Sequence, residues 1–127
     1  MGPQPIVLLM EDEPLIAMDA EVALRDAGFD VVSLALCAQG EQFIQKVLPA
    51  VAVLDIQLRD GQCHPLAEQL VEADVPFVVH SVLPHAEHLD SILGRGLWLQ
   101  KPASLLMLVS AVIRAMKPTA RILDGGT

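Results

Sequence analysis

The stretch IVLLMEDE, residues 6–13, contains a pattern that returns along the chain. Five consecutive apolar residues, 6–10, are typical of a strand that is covered on both faces of a parallel sheet. Three acidic residues follow directly. The same order returns in AVAVLD, residues 50–55, where a buried strand is predicted to end on Asp55. Acidic side chains are therefore expected at the carboxyl ends of two strands.

Segments of helical period separate the short apolar runs. Pro14 suits the first turn of a helix that Gly28 ends, and Ser104 is suited to cap the last helix. Five β–α units of this kind predict a mostly parallel sheet with helices on both faces. The predicted strands are 6–10, 29–35, 50–54, 77–80 and 97–99, and the predicted helices are 14–27, 38–48, 65–73, 85–93 and 105–116.

Apolar residues at helical spacing are expected to face the core from each helix. The predicted inward residues are Ile16, Ala20, Ala23, Leu24 and Ala27 in the first helix, Ile44, Val47 and Leu48 in the second, Leu66, Leu70 and Val71 in the third, and Leu105, Leu108, Val109, Val112, Ile113 and Met116 in the last.

Length and composition predict one domain. The chain has 127 residues, and although 53% are apolar, no apolar run reaches the roughly 18–20 residues that span a bilayer. No export signal is recognised at the N-terminus, so a cytoplasmic protein that does not bind membranes is expected. The expected divisions are an N-terminal extension at 1–5, a domain at 6–117, and a C-terminal tail or the start of a linker at 118–127.

Charge and cysteine content exclude two further classes. The net charge is −8 and the eight basic residues are scattered, so direct binding of nucleic acid is not expected. Cys37 and Cys63 are far apart in sequence and are expected to remain reduced thiols. The four histidines show no metal-ligand pattern, and we expect them on solvated surfaces.

Polar residues at the predicted strand ends indicate a chemistry. The carboxyl ends of parallel strands share one edge of the sheet, which brings together Glu11, Asp12, Asp55, Ser81 and Lys101. Clustered carboxylates raise one another's pKa unless a cation neutralises them, and an all-oxygen ligand set suits Mg²⁺. Lysine and hydroxyl groups bind phosphoryl oxygens. We therefore predict Mg²⁺-dependent phosphoryl transfer to Asp55.

Four motifs in this order resemble the receiver domains of bacterial two-component response regulators, particularly short single-domain receivers. They are LMEDEP at 9–14, LDIQL at 54–58, VPFVVHS at 75–81 and LWLQKP at 97–102. Together they extend the resemblance over nearly the whole chain, from residue 6 to about 116. The resemblance implies a flavodoxin-like, doubly wound, five-stranded parallel sheet with strand order 2-1-3-4-5.

The resemblance also implies a role for each acidic residue. Glu11 and Asp12 match the acidic pair that binds Mg²⁺ or Mn²⁺, and Asp55 matches the phosphoacceptor. Gln57 matches the position whose backbone carbonyl completes the metal shell, and it also stands where the family modulates access to the site. Glu11 replaces the more frequent Asp.

Three further positions match the family's lysine, hydroxyl and switch residues, and a fourth departs from the family. Lys101 and Ser81 match the residues that bind the phosphoryl group, and Ser81 with Trp98 matches the switch pair, in which the aromatic residue is usually Tyr or Phe. Val82 stands where most relatives have Ala or Gly, so we expect slow reaction with small phosphodonors and a long-lived phosphoryl state. An alternative role for Trp98 is that of an interface anchor.

The implied partners are a sensor histidine kinase or a histidine phosphotransfer protein. The implied output surface is formed by the fourth and fifth predicted helices, 85–93 and 105–116, and by the fifth predicted strand, 97–99. This face could also form a homodimer. Leu106, Met107 and Ser110 would lie on this face, although burial of the two apolar residues under the tail is an alternative. Such a domain is not a separate enzyme, because it catalyses only its own phosphorylation and dephosphorylation.

Rival functions lack the residues that they require. An Asp-nucleophile phosphatase needs a second Asp two residues after the first, where this chain has Gln57. A nucleotide or flavin binder needs a glycine-rich loop after the first strand, where this chain has three acids. The remaining alternative is a degenerate receiver that binds a protein partner without being phosphorylated.

Overall fold

The computed structural model describes residues 3–85 and 91–117. These residues form a parallel sheet whose strands lie in the order β2-β1-β3-β4-β5, with helices on both faces. The elements are β1 (Ile6–Met10), α1 (Pro14–Asp26), β2 (Asp30–Leu34), α2 (Cys37–Ile44), β3 (Val51–Leu54), α3 (His64–Glu72), β4 (Phe77–Ser81), a 3-10 helix (Ile92–Arg95), β5 (Leu97–Gln100) and α4 (Leu105–Met116). The predicted strand order and fold class are confirmed.

The side-chain alternation of the central strands divides the core into two layers. Leu8 and Leu54 face one side of the sheet, together with buried residues of α2 and α3. Val7 and Val53 face the other side, together with buried residues of α1 and α4. Continuous apolar strands are needed because both faces are covered, which explains why β1 and β3 have no polar residue before their ends.

The predicted inward residues are only partly correct. Ala20, Leu24, Ile44, Leu66, Leu70, Leu108 and Val112 are buried. Ile16, Val47, Leu48, Leu105 and Ile113 are instead exposed by 42%, 39%, 57%, 43% and 38%.

Two physical reasons explain the four exposed side chains after α2 and in α4, and the exposure of Ile16 in α1 has no such explanation. Helix α2 ends at Ile44, so Val47 and Leu48 lie after its C-terminus. Helical spacing therefore does not turn their side chains towards the core. Helix α4 packs on the sheet through a narrower stripe than predicted, in which the small side chain of Ala111 lies between Leu108 and Val112.

The region before β5 also differs from its prediction. The helix expected at 85–93 falls largely on residues outside the described ranges, and the described end of this region forms a 3-10 helix at Ile92–Arg95. The tail at 118–127 and the first two residues lie outside the described ranges too. Within 3–85 and 91–117, no helix is long and apolar enough to cross a membrane.

The prediction of reduced cysteines is wrong for this structure. Cys37 and Cys63 form a disulfide, and their Cα atoms lie 5.2 Å apart despite a sequence separation of 26. The reason is topological. Helices α2 and α3 cover the same face of the sheet and begin at the same edge, so Cys37 at the start of α2 becomes a neighbour of Cys63, which directly precedes α3.

Candidate functional site

Two acidic residues extend the parallel ladder by one position beyond the strands. Met10 pairs with Leu54 in the register of β1 and β3, so Glu11 and Asp55 follow at adjacent positions. The Asp55 N–H donates to the Met10 carbonyl at 3.0 Å, and the Glu11 N–H donates to the Leu34 carbonyl at 3.0 Å. Both side chains are almost fully buried. Their positions are therefore set by the backbone of the sheet.

Lys101 brings a positive charge to this pair of carboxylates. Its backbone N–H donates to the Ser81 carbonyl at 2.7 Å, directly after the end of β5. Its Nζ lies 3.1 Å from Asp55 Oδ2 and 3.5 Å from Glu11 Oε1. Burial lowers the pKa of Lys101, but the hydrogen bond and charge of Asp55 and the charge of Glu11 outweigh burial and raise the pKa overall. The ammonium therefore stays protonated.

Glu11, Asp12 and Asp55 form a cluster of oxygen ligands. One carboxylate oxygen from each lies within 4.8 Å of the others. Burial and the nearby charge of Asp55 raise the pKa of Glu11, although a hydrogen bond from the Glu13 N–H and the charge of Lys101 act against this rise. The Lys101 ammonium contacts Glu11 and Asp55 and cannot balance three clustered carboxylates, so a further cation would relieve their repulsion. The donor set fits Mg²⁺, which prefers carboxylate oxygens and water.

Backbone amides orient two of these carboxylates. Glu11 Oε2 accepts a hydrogen bond from the Glu13 N–H at 3.1 Å, and Asp55 Oδ1 accepts one from the Gln57 N–H at 3.0 Å. The second contact keeps residue 57 beside Asp55, where its backbone carbonyl was predicted to complete the metal shell. The Gln57 side chain is exposed at the rim of the site.

Ser81 lies at the same sheet edge, but its hydroxyl is engaged within its own loop. The side chain is 1% exposed, and Oγ accepts a hydrogen bond from the Leu83 N–H at 2.9 Å. Val82, the next residue, is half exposed, and its carbonyl accepts from Gln100 Nε2 at 3.3 Å. The structure thus places Ser81 in the interior, next to the Lys101 backbone, and Val82 on the outer surface.

Trp98 is joined to the same loop as Ser81. The indole Nε1–H donates to the Leu83 carbonyl at 2.9 Å, and the ring stacks on His85 with centroids 5.0 Å apart. Leu83 therefore contacts Ser81 through its N–H and Trp98 through its carbonyl. No sequence pattern marks this link because it depends on backbone atoms. The expectation that His85 is simply solvated is wrong, since its ring covers the indole.

His80 precedes Ser81 and was also expected on a solvated surface. Burial and the charge of Lys101 lower its pKa to about 4, with Asp55 acting in the opposite direction. Among the described residues, its Nε2 atom is buried without a hydrogen-bond partner. The imidazole is therefore neutral at physiological pH.

Asp60 is a structural residue of the site that sequence reasoning missed. Its carboxylate accepts hydrogen bonds from the N–H groups of Cys37 at 2.8 Å and Ala38 at 3.2 Å, which lower its pKa. It thereby caps α2 from a different part of the chain. The Asp60–Gly61 pair is a turn signal, and Gly61 has φ 125°, but a turn signal does not identify a distant capping partner.

Comparison with known proteins identifies the fold. No protein-family model and no curated protein matches the sequence. Solved structures do match. The chain is similar to a sensor protein of a Polaromonas species (27% identity, TM-score 0.77, covering 90% of this chain and 97% of that one). It is also similar to the non-phosphorylated HemR receiver domain of Leptospira biflexa (25% identity, TM-score 0.80, covering 91% and 97%).

A third structure is the response regulator receiver protein of Sinorhizobium medicae, which is 24% identical with a TM-score of 0.78 and covers 89% of this chain and 94% of that one. Receiver domains recur among the matching structures and cover most of the chain. The receiver-domain resemblance predicted from the four motifs is therefore confirmed, and the chain has the receiver-domain fold.

Proposed function

We propose that this chain is a response regulator receiver domain that accepts a phosphoryl group on Asp55 from a phosphohistidine donor. The observation that carries the proposal is the contact of 3.1 Å between Lys101 Nζ and Asp55 Oδ2, beside a cluster of three carboxylates. A carboxylate that only stabilised the fold would not need a partly buried ammonium and two further acids at a sheet edge where ligands bind.

The residues of the chain have distinct roles in this reaction. An oxygen of the Asp55 carboxylate forms a bond to phosphorus, while the bond from phosphorus to the imidazole nitrogen of the donor breaks and its electron pair leaves with the imidazole. Lys101 neutralises charge on the transferred phosphoryl oxygens. Glu11, Asp12, Asp55 and the Gln57 carbonyl would hold Mg²⁺ or Mn²⁺, which supplies further charge neutralisation when bound.

The same site would govern the lifetime and readout of the phosphoryl state. We propose that the Ser81 hydroxyl binds a phosphoryl oxygen and that Trp98 responds through Leu83, whose backbone contacts both residues. Val82 directly follows Ser81 and Gln57 lies two residues after Asp55, and we propose that these exposed side chains limit access for small donors and water. The chain would catalyse only its own phosphorylation and dephosphorylation, as a single receiver domain over residues 6–117.

The proposed setting is a bacterial cytoplasm, with a sensor histidine kinase or a histidine phosphotransfer protein as donor. Neighbours of the same fold include the receiver domain of a signal transduction histidine kinase from Syntrophus aciditrophicus. A candidate output or dimer surface lies on α4, where Leu106 is 79% exposed and Met107 is 52% exposed. No role in binding nucleic acid is proposed, because the basic residues are few and scattered.

The direct test is incubation with Mg²⁺ and acetyl phosphate, or with a phosphorylated phosphotransfer protein, followed by mass spectrometry. We expect one acid-stable, base-labile phosphoryl group on Asp55, and none in Asp55→Asn.

Lys101→Ala should lower the rate of Asp55 phosphorylation by about 100-fold or more, because it removes a preorganised charge from the transition state. Val82→Ala should accelerate both acetyl phosphate labelling and loss of the phosphoryl group.

One alternative function is a degenerate receiver that binds a protein partner without being phosphorylated. The Ser81 hydroxyl and the Trp98 indole already have hydrogen-bond partners on Leu83, so neither group needs a phosphoryl group to be satisfied. No labelling with any donor, together with no affinity for Mg²⁺, would support this degenerate receiver over the phosphoacceptor.

A further inference from the structure

The two cysteines lie at the beginnings of two adjacent helices. Cys37 is the first residue of α2, and Cys63 directly precedes α3. Their sulfur atoms are bonded, and the Cα atoms are 5.2 Å apart. Cys63 has φ 61°, a left-handed conformation that residues with a side chain rarely adopt. The backbone is thus held in an uncommon conformation at one end of the cross-link.

The cross-link closes the loop that carries the proposed phosphoacceptor. This loop, residues 55–63, begins at Asp55 and ends at Cys63. Its first part is held by the Gln57 N–H on Asp55 Oδ1, and its middle by two hydrogen bonds between Leu58 and Gly61, of 3.2 and 3.1 Å. The disulfide adds a covalent connection at the far end, onto the beginning of α2.

A second, non-covalent connection joins the same two elements. The Asp60 carboxylate accepts hydrogen bonds from the N–H groups of Cys37 and Ala38. These bonds do not depend on the oxidation state of sulfur, so they would keep the two cysteines close together after reduction. A short separation in the reduced state is what allows the disulfide to form again.

The surroundings of the sulfur atoms suit a thiol as well as a disulfide. Cys37 is 5% exposed and Cys63 is 3% exposed, and both belong to the apolar layer formed by α2 and α3. Cys37 Sγ also lies 3.7 Å from the Gly61 carbonyl oxygen, which could accept a hydrogen bond from a thiol. Reduction therefore leaves neither sulfur in an unsuitable environment.

We propose that Cys37 and Cys63 are a reversible redox pair that determines how firmly loop 55–63 is held. Closing the disulfide would restrain Gln57 and Asp55 in the geometry that binds a divalent cation. Opening it would leave the loop held only by hydrogen bonds. The consequence for phosphorylation rests on the proposed function of Asp55, whereas the consequence for loop mobility does not.

The oxidant in this proposal is a low-molecular-weight disulfide. One cysteine thiolate, reached by local opening, attacks a sulfur of the oxidant, and the first small thiol leaves. The second cysteine thiolate then attacks the mixed disulfide, so the bond between Cys37 and Cys63 forms and the second small thiol leaves. Two electrons pass to the oxidant, and the protons of the two cysteines are taken up by the departing thiolates. A dithiol reductant reverses both steps.

The experiment compares the full chain in two states, prepared with oxidised glutathione and with dithiothreitol. Alkylation and mass spectrometry should find no free thiol in the first state and two in the second. Amide hydrogen exchange should be slower in residues 56–62 of the oxidised chain. Mg²⁺ should bind about threefold more tightly to it, because a preorganised loop loses less freedom on binding. Labelling of Asp55 should be faster by a similar factor.

Cys63→Ser and Cys63→Ala provide the matched controls. Both should behave as the reduced chain under either treatment, and agreement between them would separate the loss of the cross-link from the effect of a polar atom in the apolar layer. Failure of the disulfide to form in the unmodified chain would overturn the proposal. Identical exchange in residues 56–62 of the two states would also overturn it. Slower exchange without any labelling of Asp55 would support the redox pair and contradict the proposed function.

Discussion

At the scale of single residues, the site depends on groups whose charge is set by burial and by their neighbours. Glu11 and Asp55 are nearly inaccessible to water, and Lys101 keeps its proton because both carboxylates face it. Two carboxylates and one ammonium leave a net negative charge before Asp12 is counted. This imbalance is the physical reason to expect a divalent cation, and it follows from side chains that the sequence places at strand ends.

His80 shows that a residue next to the site need not belong to it. Its pKa is lowered from 6.5 to about 4, mainly by burial. Because the folded state disfavours the protonated form, its stabilising contribution is complete above the ordinary pKa and is lost as the pH falls towards 4.

We therefore expect acid to destabilise the fold partly through His80. Between about pH 7 and about pH 5, the free energy of unfolding should fall by about 1 kcal/mol more in the natural chain than in His80→Leu, after allowance for screening of a partly exposed ring. Urea unfolding at the two pH values measures this difference. Equal pH dependence in both chains would show that His80 is protonated as easily in the folded state as in the unfolded state.

At the scale of elements, the loop after β4 links the end of β4, at Ser81, to Trp98 on β5 by hydrogen bonds. The Leu83 N–H donates to the Ser81 hydroxyl, and the Leu83 carbonyl accepts from the indole of Trp98. A movement of the Ser81 hydroxyl would therefore change the position of Leu83 and, through it, of Trp98 on β5. Stacking against His85 gives the indole a second fixed contact. The proposed response of Trp98 would therefore pass through the loop and not through direct contact with Asp55.

Trp98 fluorescence should therefore change when a phosphoryl analogue binds. We expect Mg²⁺ with beryllofluoride to shift the emission of the natural chain, because the Ser81 hydroxyl would exchange the Leu83 N–H for the analogue. Ser81→Ala removes this exchange, so its shift should be much smaller even when the analogue is bound. An equal shift in Ser81→Ala would instead assign the fluorescence change to a route that does not include Leu83.

At the scale of the whole molecule, one sheet edge collects the acidic cluster, Lys101 and the disulfide. The cross-link joins residues 26 positions apart, which restricts the unfolded chain as well as the native loop. The oxidised chain should be more stable than the reduced chain by about 3 kcal/mol, or by roughly 10 °C in melting temperature. Calorimetry of both states measures this difference, and Cys63→Ser should melt with the reduced chain. Equal melting temperatures would contradict a cross-link that persists in solution.

The amino-acid sequence by itself determined the order of elements and the position of each polar group along them. Apolar runs covered on both faces predict parallel strands, and parallel strands bring their carboxyl ends to one edge. That local rule was sufficient to predict that Glu11, Asp55 and Lys101 would lie together. The preference of serine for the N-cap position predicted the cap at Ser104, whose Oγ accepts from the Met107 N–H at 3.1 Å.

Only the tertiary structure decided which loops meet. The pairing of Cys37 with Cys63, the capping of α2 by Asp60, and the link from Ser81 through Leu83 to Trp98 all join segments that no periodic pattern relates. Periodicity reports which face of an element is apolar, whereas these contacts depend on where helices begin after they pack on the sheet. For this reason the chemistry of Asp55 was predictable from the chain, and the covalent restraint on its loop was not.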